Sequence, residues 1–283
     1  MKLKNILLMK NKIKILVTGG TGYVGQIFCD KITREYPEID LVIIGFNRKN
    51  KGVVNIDLCQ LNEIKQLIEI ERPTHLFHFA AMVNPKLNEE NKFDSYRKNF
   101  IITNNITASC FKETTVFFLS TDKVYDATNI DSKEEDITKV PDNFYSLMKL
   151  MSENIINSNF NKHYILRCPI IHSLGNKYSN SFIDAAIIKL TNNEKVEVFD
   201  NVTRHYILVE ELTDFLIYLI FSKKYGTYNV GSKPMTYFER ISLLAKGLNL
   251  DLDLITKTKG NISPQIQTYN LNKLHSTFEK YFN

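Results

Sequence analysis

The sequence predicts an α/β fold with a doubly wound parallel sheet and a smaller mixed α/β C-terminal part. Strand-like and helix-like segments alternate through residues 13–172, which is typical of right-handed βαβ units. The strand-like segments are almost continuously apolar, as expected of strands that helices cover on both faces. The first strand leads directly into three spaced glycines and a helical pattern, which fits a Rossmann-type turn.

The predicted elements of the first part follow in order, with Pro37 and Pro73 each closing a helix. The predicted helices are about Tyr23–Tyr36, Asn62–Glu71, Ser95–Phe111 and Phe144–Asn157. The predicted strands after the first are Leu41–Ile44, Val53–Ile56, His75–Ala81, Val116–Leu119 and Tyr164–Arg167. Polar composition predicts loops at 84–91 and 126–142.

The remaining 110 or so residues mix both element types. Helices are predicted at Phe182–Thr191, Glu211–Phe221 and Tyr237–Leu248, strands at Val196–Phe199 and Thr227–Val230, and a loop at Lys257–Gln267. We expect residues 1–172 to form the nucleotide-binding domain and residues 173–283 the substrate-binding part. Within the latter, segment 204–230 is expected to return to the first sheet.

Composition excludes several function classes. The 283 residues are 43% hydrophobic and 24% charged, which is ordinary for a globular protein. The net charge of +5 is spread along the chain without a basic, aromatic-rich block, so no nucleic-acid partner is expected. The four cysteines lie far apart and predict reduced thiols and no metal site.

No stretch reaches the roughly 18 apolar residues of a membrane span, so we expect no membrane partner and a cytoplasmic location. Residues 1–11 are expected to be a tail or short extension.

The glycines predict a phosphate-binding turn. Gly19 permits a tight turn, Gly22 allows backbone amides to approach a phosphate, and Gly25 lets the helix pack closely on the strand. The spacing is G-x-x-G-x-x-G, one residue longer than the common dinucleotide fingerprint. A plain strand–turn–helix can also carry such a triplet, but its place near the start of the chain favours a nucleotide cofactor.

Tyr145 and Lys149 are the candidate acid–base pair, placed at i and i+4 on one helix face. A tyrosine has a pKa near 10, and a neighbouring ammonium stabilises its phenolate and makes it a usable proton donor. Tyr-x-x-x-Lys also arises by chance on surface helices. Its position favours function, because this helix follows the central strand that ends at Thr121.

These motifs resemble the extended short-chain dehydrogenase/reductase family, also called NAD-dependent epimerases/dehydratases, over roughly residues 13–274. The resemblance implies a cofactor loop with Gly19, Thr21, Gly22, Tyr23 and Val24, and an adenine-contacting pair, Asp57-Leu58. It implies that Phe79, Ala80 and Ala81 pass beneath the cofactor, that Asn99 supports the catalytic lysine through a water, and that Pro169 contacts the cofactor.

The resemblance also implies the catalytic residues. Thr121, Tyr145 and Lys149 match the triad, with Tyr145 as acid/base, Thr121 as substrate-orienting hydroxyl and Lys149 binding the ribose. Arg204 would hold the nucleotide-sugar diphosphate, and Val83, Ser120 and Asp122 would also contact the substrate, with Ser120 the rival of Thr121. The alternative interpretation is that Arg204 is an ordinary surface arginine.

Two stretches indicate a branch of the family. Residues 119–126 resemble the S-T-D-x-V-F-D-G segment of dTDP-4-dehydrorhamnose reductases, and Ser263-Pro264 with 269–274 resembles their C-terminal end. Lys123 stands where sugar-nucleotide 4,6-dehydratases carry a base glutamate, which disfavours elimination of water.

The end of the second strand bears on cofactor preference. An acidic residue there favours NAD, and this chain has Gly45-Phe46-Asn47-Arg48-Lys49 instead. Asn47 and Arg48 are therefore predicted to bind the cofactor, with NADP(H) favoured over NAD(H). The alternative is that these residues form a solvated basic loop.

The sequence thus predicts an NADPH-dependent reductase of a nucleotide-linked 4-keto-6-deoxy sugar. One alternative is a sugar-nucleotide epimerase with tightly held NAD. Another is a non-catalytic member of the fold, like the reductase-like regulatory subunit of methionine adenosyltransferase. The resemblance implies a homodimer built on the helices near 95–111 and 144–157.

Overall fold

A computed structural model describes residues 12–46, 52–125, 130–136, 141, 143–177, 179, 181–259 and 265–282. The chain divides into two compact units. The first comprises Met1–Ser120, Asp142–Leu166 and Phe215–Thr227, and the second comprises Thr121–Pro141, Arg167–Asp214 and Tyr228–Asn283. The chain therefore crosses between the units five times, whereas a domain boundary after residue 172 was expected.

Within the described residues, seven strands form one sheet in the order β11-β6-β5-β4-β1-β2-β3. The strands are β1 Lys14–Thr18, β2 Asp40–Gly45, β3 Val53–Asn55, β4 His75–His78, β5 Thr115–Thr121, β6 His163–Cys168 and β11 Gly226–Asn229. The pairings of β1 with β2 and β4, of β2 with β3, and of β4 with β5 are parallel. The predicted doubly wound parallel sheet is confirmed.

Helices alternate with the strands of this sheet. They are α1 Tyr23–Glu35, α2 Leu61–Glu71, α3 Pro85–Glu90, α4 Lys92–Tyr96, α5 Ile102–Ser109, α6 Phe144–Asn159 and α8 Val209–Ile220. A π-helical turn, Arg97–Ile101, joins α4 to α5. None of the helices in the described ranges combines the length and the apolar character that crossing a bilayer demands.

Stacked aromatic rings tie the central strands of the first unit together. The Phe77 ring on β4 lies 4.0 Å from the Phe117 ring on β5, and Phe117 lies 5.0 Å from Tyr164 on β6. Phe28 of α1 adds a ring 4.4 Å from Phe77. These four side chains are fully buried, so they form a closely packed layer that joins β4, β5 and β6.

The second unit has its own core around α7 Phe182–Thr191 and α9 Tyr237–Gly247. Its short strands are β7 Ile170–His172, β8 Val196–Phe199, β9 Val202–Arg204, β10 Tyr206–Leu208, β12 Met235–Thr236, β13 Ile255–Thr258 and β14 Gln265–Ile266. Two terminal helices follow, α10 Asn272–Thr277 and α11 Glu279–Phe282.

Two predictions of local structure are wrong. The expected loop at 84–91 contains helix α3, which begins after the N-cap Asn84, whose side chain accepts a hydrogen bond from the Leu87 amide. The expected helix at about 95–111 is formed by the end of α4, the π-helical turn and α5. The expected loop at 257–267 contains part of β13 and all of β14, because these segments pair in parallel with β8 and β9.

Candidate active site

The glycine turn packs so tightly that side chains are excluded from it. Gly19 has a φ of +69°, and a Cβ there would lie 2.5 Å from the Ala80 amide nitrogen. A Cβ on Gly25 would lie 2.3 Å from the Gly19 carbonyl oxygen. Gly22 is the N-cap of α1, and no described side chain caps the helix there. The amides at this helix N-terminus suit an anionic phosphate.

A cavity of about 600 Å³ opens beside this turn within the first unit, a size typical of small-molecule sites. Eight of the predicted cofactor residues line it, namely Gly19, Thr21, Gly22, Asp57, Leu58, Phe79, Ala80 and Ala81. Tyr23 and Val24 form the first turn of α1. The predicted Asn47 and Arg48 lie outside the described residues.

The same cavity has a wall that sequence reasoning missed. Phe46, Cys59 and Met82 line it, and Asp94, Arg97, Lys98 and Ile102 come from α4, the π-helical turn and α5. Arg97 Nη2 lies 3.9 Å from Asp57 Oδ2. None of these residues belongs to a motif. Asp94, Arg97 and Lys98 stand at i, i+3 and i+4, which indicates only that they share a helix face.

Three buried polar side chains form a row of hydrogen bonds next to the glycine turn. Thr18 Oγ1 lies 2.7 Å from His78 Nδ1, and His78 Nε2 lies 2.9 Å from Thr103 Oγ1. Burial lowers the pKa of His78 to about 3, so the imidazole is neutral. These hydrogen bonds therefore join β1, β4 and α5 without burying a charge.

Asn99 serves the protein framework. Its Oδ1 accepts from the Met82 amide at 2.8 Å, and its Nδ2 donates to Asn88 Oδ1 at 2.8 Å. Its carbonyl accepts from the hydroxyls of Ser152 and Thr103 at 2.9 and 3.1 Å. The backbone carbonyl of Asn99 thus accepts hydrogen bonds from two side-chain hydroxyls.

The structure brings Tyr145 and Lys149 together on α6. Lys149 Nζ lies 6.0 Å from the Tyr145 ring centroid and donates to the Leu119 carbonyl at 2.8 Å. It also lies 4.4 Å from the Phe118 ring centroid. Asn143 caps the helix by accepting from the Ser146 amide at 2.9 Å. Both predicted residues therefore sit in the first two turns of a capped helix that is anchored on β5.

The hydroxyls at the end of β5 are used differently. Ser120 Oγ donates to the buried carboxylate of Glu153 on α6. Thr121 Oγ1 accepts from the Lys123 amide at 3.2 Å and lies 3.4 Å from Asp122 Oδ1. Because successive strand side chains point to opposite faces, the two hydroxyls face different sides of the sheet.

In the second unit, Asp122 pairs with Arg204 across 3.0 Å, with both side chains largely buried. The Arg204 Nε is buried and has no hydrogen-bond partner among the residues that the structure describes. Burial lowers the pKa of Lys123, and Arg204 lowers it further, although Asp122 opposes both. Arg204 is thus not a solvated surface arginine.

The two remaining predicted residues have different settings. Pro169 lies between β6 and β7 in the second unit, where a Cβ on Gly231 would come within 3.2 Å of its Cγ. Val83 lies between β4 and α3, and 53% of it is exposed.

Comparison with known proteins assigns the family. Residues 15–231 match the NAD dependent epimerase/dehydratase family. A UDP-glucose 4-epimerase of Mycoplasma pneumoniae is 25% identical over 60% of this chain and 53% of its own length. Another, of Mycoplasma genitalium, is 24% identical over 95% of this chain and 91% of its own length.

Among solved structures, a dTDP-4-dehydrorhamnose reductase from Bacillus anthracis in complex with NADP superposes with a TM-score of 0.81. It is 20% identical and the match covers 95% of this chain and 94% of that one, which supports the fold. The chain belongs to the NAD dependent epimerase/dehydratase family, as its motifs predicted.

Proposed function

We propose that this chain is an NADPH-dependent reductase of a nucleotide-linked 4-keto-6-deoxy sugar. The observation that carries the proposal is the pair Tyr145 and Lys149 on one helix, with the lysine Nζ 6.0 Å from the tyrosine ring centroid and hydrogen-bonded to the neighbouring strand. An ammonium at this distance stabilises a phenolate and suits Tyr145 to proton transfer.

The residues present fit a nicotinamide dinucleotide. A Cβ would fill the space at Gly19 and Gly25, and the uncapped N-terminus of α1 offers amides to a pyrophosphate. Asp57 and Leu58 line the same cavity as Gly19 and Gly22, where they would contact the adenine end. When bound, the dinucleotide supplies a hydride; every proton and every orienting contact must come from the protein.

The roles of the other residues follow from their chemistry. Tyr145 donates a proton to the oxygen formed at C4, and Thr121 orients the same oxygen with its hydroxyl. Lys149 binds the ribose. Arg204, with an unpartnered buried Nε, would bind the diphosphate of the nucleotide sugar.

The strand end favours a reductase over a dehydratase. Asp122 is paired with Arg204 at 3.0 Å, so its carboxylate already has a partner inside the protein. Lys123 follows where elimination needs a carboxylate base. The fold likeness to a dTDP-4-dehydrorhamnose reductase in complex with NADP supports the same choice.

A sugar-nucleotide 4-epimerase is the second candidate, because two curated relatives bear that name. Such an enzyme regenerates its cofactor in place and therefore retains it. We also propose the homodimer expected from the family resemblance; Phe93 and Tyr96 on α4 are exposed apolar side chains near the predicted interface.

The first experiment identifies the cofactor that is released when the purified protein is denatured. A cofactor-free protein that binds NADPH better than NADH and oxidises it with dTDP- or UDP-linked 4-keto-6-deoxy sugars supports the reductase. Near-stoichiometric released NAD supports the epimerase. Binding of neither cofactor would move the assignment to the non-catalytic alternative.

Tyr145→Phe tests the assignment of the proton donor. We expect turnover to fall by about 10²-fold or more while NADPH affinity stays within about twofold, because only the acid is removed. The matched control is Tyr36→Phe, which removes a phenolic hydroxyl at the C-terminal end of α1 and keeps its ring. Retained turnover in Tyr145→Phe would refute the assignment.

A further inference from the structure

Helix α6 is hydrogen-bonded to the end of β5 through two side chains that are one helical turn apart. Lys149 donates to the Leu119 carbonyl at 2.8 Å, and the Glu153 carboxylate accepts a hydrogen bond from Ser120 Oγ. Leu119 and Ser120 are consecutive strand residues, whereas Lys149 and Glu153 stand at i and i+4 on the helix. The helix therefore binds the strand through both its backbone and its side chain.

These groups are removed from solvent. Ser120, Lys149 and Glu153 are 5%, 3% and 4% exposed. A carboxyl group in such a place is costly unless it is hydrogen-bonded, and a hydroxyl-to-carboxylate bond is among the strong ones. Phe118 lies near Ser120 on β5, Ile156 lies near Glu153 on α6, and both belong to an apolar cluster. A hydrophobic residue at position 153 would extend that cluster. Packing alone therefore gives no reason for a carboxylate at 153.

We propose that Glu153 is a positioning residue: through Ser120 it fixes the end of β5, so that the Leu119 carbonyl holds the Lys149 ammonium beside Tyr145. The inference rests on the proposed function in taking Tyr145 and Lys149 as the reacting pair. Thr121 follows Ser120 directly in the strand, so the same bond fixes the backbone that carries the substrate-orienting hydroxyl. It also gives Ser120 a role inside the protein instead of at the substrate.

Three variants separate the parts of this interaction. Glu153→Ala removes the acceptor, Ser120→Ala removes the donor, and Glu153→Gln keeps an acceptor of nearly the same shape. The matched control is Ser152→Ala, which deletes a fully buried hydroxyl from the same helix. That hydroxyl donates to the Asn99 carbonyl at 2.9 Å, on a different neighbour of α6.

We expect Glu153→Ala and Ser120→Ala to lower kcat about tenfold or more, because small displacements of catalytic groups are costly, while KM changes less than about twofold. Glu153→Gln should recover most of the lost kcat. Ser152→Ala should lower the melting temperature comparably and leave kcat unchanged. A Glu153→Ala enzyme with wild-type kcat, or one whose kcat loss Ser152→Ala reproduces, would overturn the proposal.

A second readout needs no substrate. Amide hydrogen exchange over residues 118–122 should accelerate at least about tenfold in Glu153→Ala, stay near wild type in Ser152→Ala and be largely restored in Glu153→Gln. Unchanged exchange in Glu153→Ala would overturn the inference. If the wild-type protein turns over no sugar nucleotide, the proposed function fails, and this exchange pattern still decides whether Glu153 fixes the strand.

Discussion

Gly19 shows how one residue determines the shape of the cofactor turn. Its φ of +69° lies in the left-handed region that L side chains rarely adopt, and the end of β4 occupies the space where its Cβ would be. Gly52 has a similar φ of +82°, but nothing among the described atoms lies within 4 Å of the corresponding Cβ position. A comparison of the two glycines therefore separates the effect of backbone strain from that of steric exclusion.

We predict that Gly19→Ala lowers the free energy of unfolding by about 2 to 4 kcal/mol, because backbone strain and a backbone clash add together. Gly52→Ala should cost only about 1 kcal/mol, from strain alone. Urea unfolding measures both, and NADPH titration should show lost affinity only in Gly19→Ala. Equal destabilisation of the two variants would mean that the turn relaxes to admit a Cβ.

At the scale of elements, the N-cap of α6 connects helix stability to chemistry. Asn143 accepts from the Ser146 amide at 2.9 Å, and Tyr145 lies in the turn that this bond closes. Loss of the cap exposes an amide and lets the first turn fray. The position of Tyr145 therefore depends on a residue that need not touch the substrate.

We predict that Asn143→Ala lowers the free energy of unfolding by about 1 kcal/mol and reduces kcat, because the cap and the first turn are lost together. Asn143→Asp and Asn143→Ser retain a capping oxygen and should restore both quantities. Chemical denaturation and steady-state NADPH oxidation provide the measurements. An alanine variant as stable and as active as wild type would show that the bond at Ser146 does not hold Tyr145.

The elements of the first unit could be predicted because their signals are local. Apolar runs of strand length stand between turn residues, and Pro37 and Pro73 follow their helices. Helix α3 has a local start signal in Asn84 and Pro85, but its polar composition conceals it, and its buried residue Asn88 bonds to Ser95 and Asn99 on the elements that follow. Strand β13 likewise forms only by pairing with β8, about sixty residues away.

The candidate site likewise contains residues that the sequence reveals and residues that it does not. The glycine turn and the Tyr145–Lys149 pair rest on fixed spacings within one strand–turn–helix and one helix, so the sequence reveals them. Arg97 in the cavity wall and Glu153 beneath the strand end act through contacts between distant segments. No spacing in the sequence distinguishes them from solvated helix residues.

At the scale of the whole molecule, buried histidines link stability to pH. Burial lowers the pKa of His75 to about 4 and that of His78 to about 3, and it also lowers the pKa values of His172 and His205. An unfolded chain protonates histidine near pH 6.5, whereas the native protein keeps these rings neutral. Below that pH the unfolded state therefore binds more protons than the native state.

The stability that these neutral histidines contribute is complete above pH 6.5 and is lost as the pH falls. We predict that His75 and His78 each lower the free energy of unfolding by about 1.4 kcal/mol per pH unit between pH 6 and their native pKa values. Unfolding at pH 5.5 should take up at least about two protons, because both rings protonate almost fully in the unfolded chain. Calorimetry in buffers of different ionisation enthalpy measures this uptake directly, and His78→Asn should remove close to one proton from it. An uptake below one proton at pH 5.5 would mean that the native protein already protonates these histidines, which contradicts their lowered pKa values.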